Sequence, residues 1–290
     1  MDGGLTITLI SVAMFVGCFA LGFIPLLFRL SEKSLQFVSI LGAGLLCGTA
    51  LAITIPEGVG LLEESWRGEL GIHTRNTTLP SCIYFGPPSK PLSLKGPAPQ
   101  FLIGLALTFG FTFMFVVDQI GNYLSTRGKP LIIQNVCVCV ADGFAVGAAV
   151  ATGQVTVQVI VFVAVILHKA PAAFGLVSFL MHAGLEKKYI QGHLLAFSAA
   201  APILAVTTYF ILHASGPSAQ SQFSATGVGM LFSAGTFLYV ATVHVLPEVS
   251  SSRTGQAEGP HQQQLGLLES LTLILGVGLP MVLALGLHAD

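Results

Sequence analysis

The chain has 290 residues, of which 53% are hydrophobic and only 9% charged, with a net charge of −1. Soluble domains carry roughly a quarter charged residues, so this balance, with a mean hydropathy of +0.82, excludes an ordinary globular protein. No basic run points to nucleic acid, and Gly128-Lys129 lacks the upstream glycine of a phosphate-cradling loop, so transport driven by ATP on this chain is excluded too.

Eight apolar segments are long enough to cross hydrocarbon as helices, near 5–28, 35–61, 101–122, 131–151, 155–182, 191–213, 224–249 and 266–286. They are continuously apolar rather than alternating, which predicts an all-α polytopic membrane protein of one domain over 1–290, not a barrel. The first segment has no basic residue before it and is too long for a cleaved signal peptide, so it reads as a retained helix. Four of the five cysteines (Cys18, Cys47, Cys137, Cys139) lie in apolar segments, against a disulfide framework.

Arg29, Lys33, Arg127, Lys129, Lys187, Lys188 and Arg253 fall in the first, third, fifth and seventh loops. The positive-inside rule therefore puts both termini on the extracytoplasmic side. The long second loop, 62–100, lies on that side as well, against its own four basic residues. It carries a glycosylation sequon at Asn76 and is rich in proline. An internal echo accompanies this topology. Ala43-Gly44 precedes Pro56-Glu57 by thirteen residues, and Ala234-Gly235 precedes Pro247-Glu248 by thirteen. Each pair lies in the second helix of a group of three, which predicts a 3+2+3 inverted repeat with a site at the repeat interface.

The fourth and fifth segments carry ionisable groups at membrane depth, where they cost several kcal/mol unless they pair, bind an ion or line a wet cavity. Cys139 and Asp142 are three apart, on one helical face; His168 and Lys169 reach a similar depth if the hairpin pivots near Gly153. Carboxylate, imidazole and thiolate are the ligand types of a zinc site, and three ligands plus water leave an exchangeable position. Pro171 removes a hydrogen bond to the Leu167 carbonyl one turn from His168. The same residues also read as a structural Asp142–Lys169 ion pair, a core histidine and small buried cysteines. A second cluster combines His244 and Glu248, four apart, with Glu57, as an exit for a cation or as polar residues near helix ends. No nucleophile with a base and an orienting partner can be assembled, so an enzyme is not expected.

Three stretches carry a resemblance: Ala-Asp-Gly-Phe-Ala-Val-Gly-Ala-Ala (141–149), His-Lys-Ala-Pro-Ala-Ala-Phe-Gly (168–175) and Ser-Ala-Gly-Thr-Phe-Leu-Tyr-Val-Ala-Thr-Val-His-Val-Leu-Pro-Glu (233–248). They closely resemble the ZIP family of zinc transporters, solute carrier family 39, across all eight segments. The resemblance implies an eight-helix protein that commonly forms a homodimer, sits in the bilayer of the Golgi apparatus (including the trans-Golgi network) or plasma membrane, and moves zinc into the cytosol as a transported substrate, with no cofactor. It implies that Asp142 and His168 are ligands and that Lys169 stands where many relatives have a second-site ligand. Two departures bear on this: relatives usually have a histidine four residues before the acidic position, here Val138, and an acidic ligand where this chain has Ala172. The alternative is a membrane receptor or signalling scaffold with weakened transport, since the most similar subfamily is linked to steroid-responsive signalling through G proteins.

Overall fold

The computed structural model describes residues 3–27, 32–76, 99–124, 130–182, 184–216, 219–245 and 267–287. Among them there is no strand. The helices are α1 (Gly3–Leu27), α2 (Glu32–Thr49, continuing through a π-helical turn Ala50–Thr54 into Ile55–Asn76), α3 (Pro99–Leu124) and α4 (Pro130–Ala151). They are followed by α5 (Val155–His182), α6 (Lys187–Ser215), α7 (Ala219–Tyr239, continuing as a π-helical turn Val240–Val245) and α8 (Leu267–Leu287). Seven have an apolar stretch long enough to span hydrocarbon among the described residues. The other, α4, has 22 residues, or about 33 Å of helix. Outward side chains such as Phe109, Ile274 and Val282 are exposed and apolar, as a lipid-facing surface requires.

The expected loop at 62–100 begins later than the sequence suggests, because α2 runs on to Asn76. Residues 62–76 are polar enough to read as a loop, yet one stripe of them has a partner. Leu62 packs on Leu231 and Ala106, and the Ser65 and Ser224 hydroxyls are 2.5 Å apart. Glu63 and Arg67 pair one turn apart on the exposed side. Of the expected loop, 77–98 lies outside the described residues.

The two π-helical turns fall at matching places, each between a small-residue pair and a Pro-Glu pair. Pro56 has no N–H for the Ala52 carbonyl, so a regular ladder is interrupted in the first of these turns; Pro247 lies outside the described residues. Ahead of these turns, the paired glycines set close helix crossings. Gly44 lies against the Leu273 carbonyl and Gly276 of α8, and Gly235 against the Leu107 carbonyl of α3. In the same way α4 crosses α6 through Gly143 and Gly147, which face Ala201 and Ala205. The helix pairings map onto one another when α1 is exchanged with α6, α2 with α7, α3 with α8 and α4 with α5: α1 on α5 matches α6 on α4, and α2 on α8 matches α7 on α3. The largest core cluster joins α1, α4, α5 and α6 and includes Met14, Val146, Val161, Val177, Leu194 and Tyr209.

Candidate functional site

The α4–α5 connection places the site. Thr152 Oγ1 donates to the Ala149 carbonyl at 2.7 Å and accepts from the Gln154 N–H, while Gly153 turns the chain at φ 72°, a left-handed conformation that favours glycine. From this pivot α4 and α5 run back side by side. Asp142, His168, Lys169 and Cys139 meet at mid-helix, each no more than 2% exposed.

His168 Nδ1 lies 2.8 Å from the Ala164 carbonyl one turn earlier. A carbonyl only accepts, so the hydrogen is assigned to Nδ1 and the Nε2 lone pair is left for the other side of the ring. On that side, 3.2 Å away, is Asp142 Oδ2, also an acceptor. Two acceptors that face each other in a buried site need a cation between them, either a proton or a metal ion. A charge-assisted N–H···O contact normally closes to about 2.7–2.9 Å. Two zinc ligands at about 2.0–2.1 Å and a tetrahedral angle stand roughly 3.3 Å apart. The observed 3.2 Å separation fits either a hydrogen bond or two ligands of one ion. The second carboxylate oxygen, Asp142 Oδ1, is buried with no hydrogen-bond partner.

Lys169 approaches the same carboxylate, with Nζ 3.7 Å from Oδ2. Its ammonium also donates to Cys139 Sγ at 2.9 Å and lies 4.7 Å from the centre of the Phe197 ring. The Cys139 thiol in turn donates to the Phe197 carbonyl at 3.6 Å. The cluster is closed on α7 by Phe237, whose ring centre lies 4.1 Å from that of His168. From α4, Val138 packs against the cluster that contains Phe237, Leu46, Ala50, Ala234 and Ala241.

The structure thus brings Asp142, His168, Lys169 and Cys139 together. Among the described residues, no three of His, Cys, Asp and Glu are arranged to hold a metal. Glu57 is partly exposed in the last segment of α2; His244 lies in the closing π-helical turn of α7, with its side chain outside the described residues, as are Glu248 and the Asn76 side chain. Phe197, Phe237 and the Ala164 carbonyl escape sequence reasoning, since neither a backbone acceptor nor an aromatic wall has a spacing signature. Cys18 of α1, which reads from sequence as a small apolar residue, is fully buried.

Comparison with known proteins adds an independent observation. A family described as ZIP Zinc transporter matches residues 4–137 and 131–284, so the two matches span nearly the whole chain. The chain is 47% identical over 309 aligned residues to "Zinc transporter ZIP9" of Micropogonias undulatus, covering 99% of this chain and 100% of the relative. It is 46% identical to "Zinc transporter ZIP9-B" of Xenopus laevis, covering 99% of each. Similarity extends more weakly to "Zinc transporter SLC39A7" of Canis lupus familiaris, 31% identical over 58% of this chain and 34% of the relative.

Proposed function

This chain belongs to the ZIP zinc transporter family, and from that premise we propose that it moves zinc from the outside or a secretory lumen into the cytosol through a site between α4 and α5, held by Asp142 and His168. The observation that carries this reading is the facing pair of acceptors, Nε2 and Oδ2, at 3.2 Å. Nδ1 is fixed by a carbonyl, the arrangement by which metal-binding histidines hold their ring. Two protein ligands with water completing the shell give an exchangeable ion, which suits transport rather than a structural site. The cation supplied by Lys169 balances Asp142 when zinc is absent, so the empty site does not strand a carboxylate in a low dielectric.

Direction and orientation follow the basic loops, which put both termini outside the cytosol. The exchange symmetry of the helix pairings supports the 3+2+3 inverted repeat, with α4 and α5 between the two groups of three. We assign His244 and Glu248, which precede the basic seventh loop, to the cytosolic exit; Glu57 leads instead toward the extracytoplasmic loop after α2. The same reading takes the protein to be a homodimer of Golgi and plasma membranes, glycosylated on Asn76.

Val138 and Lys169 favour a second reading, a signalling scaffold responsive to steroids and coupled to G proteins. Relatives usually offer an imidazole where Val138 stands, and an internal ammonium here lies within reach of the metal-binding carboxylate. Zinc accumulation at matched membrane abundance decides between them. Loss of flux in Asp142→Ala/His168→Ala supports the transport site. Undiminished flux in that variant refutes the site, and absence of flux from the native chain favours the scaffold.

A further inference from the structure

We propose that Lys169 is a specificity-determining residue: it holds the Cys139 thiol out of the metal's coordination shell and keeps the site one of nitrogen and oxygen ligands. The inference rests on Asp142 and His168 being the transport ligands, and deepens that reading.

Cys139 and Asp142 share a helical face, so the chain offers carboxylate, imidazole and thiol at one depth. That trio favours soft ions, because thiolate binds cadmium and cuprous copper more strongly than it binds harder cations. The structure keeps the thiol occupied on both sides. Its sulfur accepts the Lys169 ammonium hydrogen at 2.9 Å, and its own hydrogen points to the Phe197 carbonyl at 3.6 Å. To join a metal, the sulfur must give up both contacts and its proton. Lys169 is held in place for this task by the Asp142 carboxylate at 3.7 Å and by the Phe197 ring at 4.7 Å. Phe197, on α6, therefore serves both halves of the device, with its carbonyl on the thiol and its ring on the ammonium. A methionine at position 169 removes the donor but keeps the bulk, and leaves the sulfur free to turn toward Asp142 and His168. The site would then gain a soft ligand, bind cadmium more tightly and release it more slowly.

The test uses the full chain as native protein, Cys139→Ser, Lys169→Met, Lys169→Gln and Lys169→Met/Cys139→Ser. Two readouts are taken: zinc uptake competed by cadmium in cells at matched membrane abundance, and cadmium–thiolate charge-transfer absorption of the purified protein titrated with cadmium alone. The native protein and Cys139→Ser should both lack the cadmium–thiolate absorption. Both Lys169 variants should shift preference toward cadmium by about tenfold or more, the size of effect expected for a residue that supports a metal ligand, and should gain the absorption. Cys139→Ser should abolish both gains in the Lys169→Met background. The proposal is overturned if the native protein already shows an absorption that Cys139→Ser removes, or if neither Lys169 variant gains one. The absorption does not depend on flux, so it judges Lys169 separately. Zinc uptake that survives Asp142→Ala/His168→Ala would instead refute the underlying site.

Discussion

Asp142→Asn is the perturbation whose consequences the geometry fixes most closely. The amide keeps the shape of the carboxylate but not its charge, and it strands the Lys169 ammonium, which is 1% exposed. At 3.7 Å, and with an effective dielectric of about 20, the lost attraction is about 4 kcal/mol. This agrees with the roughly 3–5 kcal/mol observed when one partner of a buried ion pair is removed. Lys169→Met alone leaves the buried Asp142 carboxylate without its ammonium partner, a loss of the same kind. The double variant Asp142→Asn/Lys169→Met removes both charges, and its loss of stability should be smaller than the sum of the single losses by about 2–3 kcal/mol. A denaturant titration of the four purified proteins in micelles measures this, with zinc uptake followed in parallel. Stability should recover in the double variant while uptake stays lost. Additive losses would refute a coupled Asp142–Lys169 pair, and recovered uptake would refute the role of Asp142 as a ligand.

Other outcomes follow from single contacts. Gly235→Ala places a Cβ 2.3 Å from the Leu107 carbonyl, so α3 and α7 must separate; we expect a loss of about 1–3 kcal/mol, read as a lower thermal midpoint. Gly147→Ala, whose Cβ meets the Ala205 carbonyl at 2.4 Å, should destabilise similarly, whereas Gly175→Ala, with open space around it, should not. Tyr239→Phe removes the hydrogen bond to Asp118 at 3.1 Å that joins α7 to α3. It should cost about 1–2 kcal/mol in the same assay. Val138→His adds an imidazole one helical turn before Asp142 on α4. It should raise apparent zinc affinity about tenfold or more, measured as half-saturation of uptake; an unchanged value would show that position 138 faces away from the ion.

The helical architecture was legible because hydropathy alone demands it: continuous apolar runs in hydrocarbon must satisfy their backbone internally. The end of α2 was not, since residues 62–76 are polar and their helicity depends on α7, through Leu62 and Ser65. Asp142 and His168 stood out as ionisable groups at membrane depth, and the hairpin turn at Gly153 was enough to bring them together. The engagement of Cys139 was hidden, because it depends on Phe197 from a third helix and on which rotamer the lysine takes. The π-helical turns were also hidden. Pro56 marks the broken ladder in α2, but a proline does not say whether a helix kinks, ends or widens.

The most direct measurement is X-ray absorption at the zinc edge on the purified, zinc-loaded chain beside His168→Ala. A zinc ion shared by Asp142 and His168 predicts nitrogen and oxygen neighbours only, with imidazole scattering in the native protein that is lost in the variant. Zinc–sulfur scattering in the native chain, or an imidazole signal unchanged by His168→Ala, would contradict it.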